Sequence, residues 1–154
     1  MKSKQAEKII EKIDIAISDI KRFSNNSELE KSYLAKFLVV YICGIYEEVI
    51  ETIINEKVSS SNDPEVCNYV KETLKNNFRN PDMGNIKGLL SKFDTNWKLE
   101  ICKLPQDSQT AMDNIVNDKN SLAHGNDVSL TLIDILEYYN NSLAVIKKID
   151  DLLL

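Results

Sequence analysis

The sequence predicts an all-α protein, an up-and-down bundle of four main helices with one or two short extra helices. Helix breakers are scarce, with four Gly and three Pro in 154 residues. Several long segments repeat apolar residues every three to four positions, and none alternates with period two for long enough to form a strand. The length fits one domain, residues 1–154, that buries a sizeable core.

Two helices are predicted in the first third of the chain. Residues 4–23 place apolar side chains at helical spacing opposite a charged face, and the polar residues 24–27 break this pattern. The second helix covers about 28–57, and its middle is apolar on every side, so we expect it to be the most buried helix. Because Gly44 disfavours a helix, we expect a neighbouring element to pack closely against it.

Shorter elements are predicted in the middle of the chain. Asp63 and Pro64 have the residue types of an N-cap and a first helical position, which indicates a helix over about 64–77. A short helix follows over about 84–94. The stretch 97–104 fits either a loop or a short extended piece.

Two helices are predicted at the end of the chain. One opens at Pro105 and runs towards Lys119, and the other covers about 129–153. The apolar residues of the last helix follow 4-3 spacing, interrupted at Asp150, and are Leu132, Leu136, Tyr139, Leu143, Ile146 and Leu153. Such a stripe fits the core or an oligomer seam, and we favour the core.

Composition excludes several classes of protein. The formal net charge of −5 argues against a protein that coats nucleic acid non-specifically, although a local basic groove stays compatible with it. The cysteines Cys43, Cys67 and Cys102 are odd in number and lack CxxC spacing, so reduced core thiols are favoured over disulfides or a zinc site. No signal-type apolar stretch follows Met1, and the apolar run 37–46 is too short to span a bilayer. We therefore predict a cytoplasmic protein without a membrane segment.

The segment 118–125 concentrates the residues that carry chemistry. It holds the only histidine, His124, together with Lys119 and Asn120. Histidine as a residue type titrates near neutrality and can both take and give a proton. An ammonium group stabilises charge that builds up on a phosphate, and an amide orients the phosphate or the ring. Because Gly125 suits a left-handed turn that leaves the ring accessible, the segment is compatible with cleavage of a phosphodiester.

The same segment also fits an ordinary helix end. A lone histidine before a glycine often interacts with the last carbonyls of a helix, and on the residues alone we favour that interpretation. Cleavage of RNA without a metal needs a base and an acid. Because His124 is the only histidine, a nuclease would require a homodimer that supplies two, or a carboxylate as the second group.

The order of a basic residue, Asn, three residues and His-Gly before a final amphipathic helix resembles the signature of the HEPN superfamily. Residues 34–48 resemble the RiboL-PSP and MAE-type branches, in which such an apolar helix carries an acidic residue near its end. The resemblance covers about 30–150 and implies a helical bundle that dimerises with its motifs facing each other. It also implies a metal-independent endoribonuclease that leaves 2′,3′-cyclic phosphate ends, commonly a toxin or a phage-defence effector with an antitoxin or defence-system partner. No cofactor and no metal are expected.

Two positions depart from the family pattern. Lys119 stands where the motif has arginine, and lysine lacks the planar fork that binds a phosphate through two donors, so activity is expected to be weaker or lost. Asn126 stands where the branch that pairs with nucleotidyltransferases has tyrosine, so we do not expect that pairing. An inactive helical module that binds a protein partner or a nucleotide is the alternative function. A metal hydrolase ranks third, because one histidine and dispersed carboxylates show no ligand spacing.

Further candidates lie outside the motif. Glu47 and Glu48 end the apolar stretch of the second helix, and helical spacing favours Glu48 as the inward carboxylate, near Lys119 or His124. Two solvated charges remain the alternative. The predicted catalytic residues are therefore Lys119, Asn120, His124 and Glu48.

Two residue pairs are weaker candidates for contact with RNA. Arg79 and Asn80 precede Pro81 in a polar loop, and Arg79 is a candidate to replace the missing motif arginine from another part of the fold; an exposed loop charge is the favoured alternative. Phe93 and Trp97 are suited to stack on a base, although a role as apolar cover of the bundle is favoured.

Overall fold

The computed structural model describes residues 1–22, 27–60 and 63–154. No strand occurs among these residues, so the all-α prediction is confirmed. The helices are α1 (Lys4–Arg22), α2 (Glu28–Ser59), α3 (Pro64–Asn77), α4 (Met83–Phe93), α5 (Thr95–Ile101), α6 (Gln106–Ala123) and α7 (Leu132–Leu153). The predicted break at 24–27 lies outside the described residues except for Ser27, which caps α2 in a capping box with Glu30.

Helix α2 is the centre of the bundle, as its all-round apolar sequence predicts. It packs against α1, α3, α6 and α7. Its largest fully buried side chains are Leu38, Ile42, Tyr46, Ile50, Ile53 and Ile54. Burial of each such side chain contributes about 1.5–3 kcal/mol, so this helix contributes heavily to the stability of the core.

Helix α5 is one short helix more than the sequence indicated. It occupies most of the stretch that had been predicted as loop or extended chain. Asp94 begins it, because one carboxylate oxygen accepts the backbone N–H of Asn96 and the Asp94 carbonyl accepts that of Trp97. Ile101, fully buried, anchors its other end. The Asp63–Pro64 start predicted for α3 is confirmed, with the Asp63 side chain capping the Val66 N–H.

Helices α6 and α7 differ from prediction at the ends that face each other. Helix α6 continues to Ala123 rather than stopping near Lys119. Helix α7 begins at Leu132 rather than 129, because Thr131 and Asp134 form a capping box there. Lys119 therefore lies in the last turns of a helix and not in a junction between two helices.

The buried stripe of α7 is rotated relative to the predicted one. Its buried residues are Ile135, Tyr139, Ser142, Val145, Ile146, Ile149, Asp150 and Leu153. Leu132, Leu136 and Leu143 are only partly buried against the core. The choice of core over seam is confirmed, since α7 packs against α2, α5 and α6. The apparent interruption at Asp150 is a buried carboxylate that accepts the backbone N–H groups of Lys2 and Ser3.

The expectation about Gly44 was wrong, and the expectation about the cysteines is confirmed only in part. Gly44 is exposed, and a Cβ placed on it would have no atom within 4 Å, so no described element packs closely there. All three cysteines are free thiols, but only Cys43 is buried in the core, whereas Cys67 is partly buried and Cys102 is exposed. Among the described helices, none is both long and apolar enough to cross a membrane.

Candidate active site

The end of α6 is shaped by a Schellman motif. The N–H of Gly125 donates to the carbonyl of Leu122 and the N–H of Asn126 donates to that of Ser121, each at 3.0 Å. Gly125 has a φ of 76°, which confirms the predicted left-handed turn. The motif stops the helix directly after Ala123 and leaves His124 as the C-cap residue.

The His124 side chain points away from the fold. Its backbone N–H donates to the carbonyl of Asn120 at 3.1 Å, but the imidazole makes no hydrogen bond to any residue that the structure describes, and the residue is exposed. Asn120 lies one helical turn earlier, on the same face. The helix-end interpretation is therefore confirmed for the backbone, while the ring remains accessible to a ligand.

Lys119 directs its ammonium group towards two amides. Its Nζ donates to Asn80 Oδ1 at 2.6 Å and to Asn120 Oδ1 at 3.3 Å. Within residues 1–22, 27–60 and 63–154, no carboxylate oxygen lies within 4.0 Å of this group. The positive charge is thus held by neutral acceptors and is not neutralised by an ion pair, which leaves it able to stabilise an anion.

Asn80 connects three parts of the site. It has a left-handed φ of 55°, which asparagine tolerates better than most residues. Its side chain accepts from Lys119, its backbone N–H donates to Glu47 Oε1 at 2.8 Å, and its carbonyl accepts from Asn85 Nδ2 at 2.8 Å. The polar atoms of Asn80 thus join α2, α4 and α6. The neighbouring Arg79, in contrast, is mostly exposed and donates to the carbonyl of Lys75.

The structure reverses the predicted orientation of the two glutamates. Glu48 has a side chain that is 48% exposed and forms an ion pair with Lys12 at 3.2 Å. The Glu47 side chain is 17% exposed and faces the Asn80 loop, with Arg79 at 3.8 Å. Adjacent helical residues point about 100° apart, and α1 covers the side on which Glu48 lies. The prediction that Glu48 is the inward carboxylate was therefore wrong.

Burial perturbs two groups near this cluster. It raises the pKa of the Cys43 thiol to about 12, an effect that Glu47 increases and Lys119 opposes. Burial also raises the pKa of Glu51, which lies one turn after Glu47 and is opposed there by Arg79. Glu51 was missed from the sequence, although its i+4 spacing from Glu47 was the available signal.

The two aromatic residues that were candidates for base stacking or for apolar cover contact each other. Phe93 and Trp97 stack on each other with ring centroids 6.1 Å apart, and Lys57 lies over the Trp97 ring. Trp97 is partly buried against the core, which supports its role as apolar cover. No group of three His, Cys, Asp or Glu residues suited to a metal ion occurs in the described part of the chain.

An exposed apolar stripe runs along α2 and ends near the site. This α2 stripe consists of Leu29, Tyr33, Phe37 and Val40, which are 67%, 64%, 53% and 46% exposed. Lys36, on the same helix, donates to Asp127 Oδ1 at 2.6 Å, which holds the segment that follows His124 against α2. A contiguous apolar surface of this kind usually marks an interaction site.

Comparison with known proteins assigns the family. The model of the RiboL-PSP-HEPN family matches residues 2–154. No curated protein and no solved structure matches the chain. The match extends over the whole bundle, whereas the resemblance noted in the sequence covered about 30–150.

Proposed function

Since the chain belongs to the RiboL-PSP-HEPN family of the HEPN superfamily, whose members are commonly ribonucleases, we propose that it is a metal-independent endoribonuclease that acts as a homodimer. One observation carries the proposal. His124, at the end of α6, presents an imidazole without a hydrogen-bond partner among the described residues, one turn from Asn120 and close in sequence to the unneutralised ammonium of Lys119.

The proposed reaction is an internal transfer of the phosphoryl group. His124 takes the proton of the ribose 2′-hydroxyl, and the 2′ oxygen forms a bond to phosphorus as the bond from phosphorus to the 5′ oxygen breaks. A protonated second group gives its proton to the departing 5′ oxygen. The products are a 2′,3′-cyclic phosphate and a free 5′-hydroxyl. Lys119 stabilises the charge on a non-bridging oxygen, and Asn120 helps to orient it.

A homodimer provides the second proton-transfer group. The chain has one histidine, so an acid and a base of the same type require His124 of the partner subunit. The α2 stripe is the surface that we assign to this contact. Its Tyr33 and Phe37 side chains suit an isologous interface, and the Lys36–Asp127 ion pair keeps the segment after His124 beside it. The open surface at Gly44 allows a partner helix to approach closely.

The first experiment compares wild type with His124→Ala on mixed RNA in EDTA, with the product ends mapped. We expect cleavage by wild type alone, leaving 2′,3′-cyclic phosphate ends, and a loss of at least about 100-fold for the variant. His124→Gln is a matched control of similar size that cannot titrate. Retained cleavage by nuclease-free His124→Ala overturns the proposal.

A second experiment tests the dimer. Phe37→Glu introduces like charges into a two-fold contact, and we expect a monomer by light scattering that no longer cleaves RNA. Ile15→Glu, at an exposed apolar position of α1 outside the stripe, is the control and should leave both the mass and the activity unchanged. A monomeric wild type with full activity would contradict the dimeric site.

One observation favours a second function, that of a non-catalytic helical module binding a protein partner or a nucleotide. Lys119 replaces the motif arginine, and its ammonium donates hydrogen bonds to Asn80 and Asn120, as expected for a lysine with a structural role. This alternative predicts no cleavage by wild type and no functional loss in His124→Ala. If the protein is an active ribonuclease, its activity would have to be inhibited in the cell. We therefore further propose an antitoxin or defence-system partner.

A further inference from the structure

A cleft lies between α3 and α4, and its lining does not include Lys119, Asn120 or His124. Its volume is about 450 Å³, within the usual range of small-ligand sites. Its lining includes Tyr69, Asn77, Asn85, Gly88, Lys92 and Phe93. Gly88 leaves part of the cleft open, because a Cβ at this position would have no atom within 4 Å.

The side chains of the cleft suit a flat, polar-edged ring. Tyr69 and Phe93 provide aromatic surface, since they are 72% and 39% exposed, and Phe93 also stacks on Trp97. The side-chain oxygens Oδ1 of Asn77 and Asn85 accept no hydrogen bond from the described residues, so they can receive the amino or imino groups of a base edge. Aromatic faces and amides together are typical of sites for unpaired bases.

The charge of the cleft differs from that of the whole chain. The formal net charge of the protein is −5, yet none of the described residues that line the cleft is Asp or Glu. Lys92 is exposed at its edge, and no described carboxylate lies within 4.0 Å of its ammonium. A nearby acid, Asp82, is engaged by both the backbone and the side-chain N–H groups of Asn85. The edge of the cleft therefore offers one ammonium group, that of Lys92, to a phosphate.

The cleft is also connected to the candidate active site. Asn85, one of its lining residues, donates from Nδ2 to the carbonyl of Asn80 at 2.8 Å. Asn80 in turn accepts from Lys119, and exposed Arg79 lies beside it. Two hydrogen bonds thus separate the cleft from the lysine assigned to the scissile phosphate.

We propose that this cleft binds an unpaired base of the single-stranded RNA substrate, next to the cleaved bond, with an adjacent phosphate on Lys92. The assignment rests on the proposed function for the nature of the substrate. A free nucleotide would use the same chemistry, but the RNA strand is favoured because the cleft is linked through Asn85 and Asn80 to Lys119, the residue assigned to the scissile phosphate. The cleft would then select the sequence or structure at which the enzyme cuts.

Binding is tested apart from cleavage with 2′-O-methyl RNA, which lacks the attacking hydroxyl. The full-length wild type and Gly88→Leu are compared by fluorescence anisotropy on a labelled single-stranded oligonucleotide. Leucine at position 88 projects into the cleft, and we expect binding about 10-fold weaker, the loss of roughly one stacked base. Asn76→Leu, on an exposed position of α3 that does not line the cleft, is the control and should bind like wild type.

A pair of lysine variants tests the phosphate contact. Lys92→Met and Lys98→Met change the net charge equally, but Lys98 is exposed outside the cleft. We expect only Lys92→Met to reduce the slope of log affinity against log salt, by about 0.7 for one phosphate on a single strand. Equal slopes for the two variants overturn the phosphate contact.

Several outcomes overturn the base site. They are wild-type affinity in Gly88→Leu, binding of adenosine or uridine monophosphate as tight as that of the oligonucleotide, and no RNA binding by wild type, which would leave the cleft to a protein partner. Failure of the proposed function is recognised separately. If His124→Ala still cleaves RNA but Gly88→Leu binds it more weakly, the proposed histidine mechanism fails and the base site stands.

Discussion

Two polar clusters at helix ends differ in how many of their polar groups have hydrogen-bond partners inside the fold. At the start of α1, Ser3 and Asp150 are buried. Asp150 accepts the N–H groups of Lys2 and Ser3, while the Ser3 hydroxyl accepts from Ala6 and donates to Glu56. Nearly all the strong polar groups there have a partner inside the fold, as expected of a structural cluster.

The cluster at the end of α6 has the opposite character. The His124 ring is exposed without a partner among the described residues, and Lys119 is bonded to amides rather than to a carboxylate. The difference separates two uses of a helix end. A closed cluster contributes to stability, whereas an open one retains donors and charge for a ligand, and we expect mutations to affect different measurements in the two places.

The largest effects should come from one alanine substitution in each cluster, Asp150→Ala and His124→Ala. Asp150→Ala removes the carboxylate that accepts the buried N–H of Ser3 and the partly buried N–H of Lys2, so we expect a loss of about 3 kcal/mol in the free energy of unfolding. His124→Ala should change that free energy by less than about 0.5 kcal/mol while reducing cleavage by at least about 100-fold. Urea unfolding and RNA cleavage of both variants provide the measurements.

Asp150→Asn is the control, because it retains an acceptor of similar shape and should recover part of the lost stability. The contrast between the clusters would disappear if His124→Ala proved as unstable as Asp150→Ala. In that case the histidine would belong to the structural framework.

A smaller effect is expected from the charge at Lys119. Lys119→Met retains much of the length of the side chain but removes the ammonium, and we expect cleavage to fall about 100-fold, as on loss of one transition-state donor. Lys119→Arg restores a planar fork for phosphate, so its rate should equal or exceed that of wild type. Initial rates on one RNA, with stability measured in parallel, compare the two. If both variants were as active as wild type, Lys119 would have only a structural role, through its hydrogen bonds to Asn80 and Asn120.

The two glutamates provide a matched pair with a still smaller effect. Glu47→Gln weakens the acceptor for the Asn80 N–H, and we expect a loss of about 1 kcal/mol in stability and a several-fold fall in cleavage. Glu48→Gln breaks an exposed ion pair with Lys12 and should stay within about 0.5 kcal/mol of wild type. A larger effect at Glu48 would restore the assignment made from the sequence.

The helices and the turn after His124 were predictable because they depend on local patterns. Apolar spacing located the four long helices, and the His-Gly pair indicated the helix end with its left-handed residue. These features need only residues within one or two turns of each other, which is the range over which spacing and capping act.

The arrangement of the candidate site was not predictable for the opposite reason. The choice between Glu47 and Glu48 depends on where α1 packs, and the two are adjacent residues of the same type in the same helix. Asn80 contacts Lys119 from 39 residues away in the chain. Helical spacing relates only residues of one helix, so it could not predict that Asn80 joins α2, α4 and α6. The expectation about Gly44 was wrong because an exposed glycine and a tightly packed one look alike in a sequence.

The smallest effects concern two glycines and should have opposite signs. Gly125→Ala places a side chain at a φ of 76°, which costs about 1 kcal/mol. Gly88→Ala adds a methyl group in open space within α4, which should stabilise the helix by up to about 1 kcal/mol. Urea unfolding measures both. Because Gly125 also fixes the C-cap that presents His124, its variant should lose cleavage beyond its small loss of stability. A stable Gly125→Ala with full activity would show that the open end of α6 does not depend on the left-handed turn.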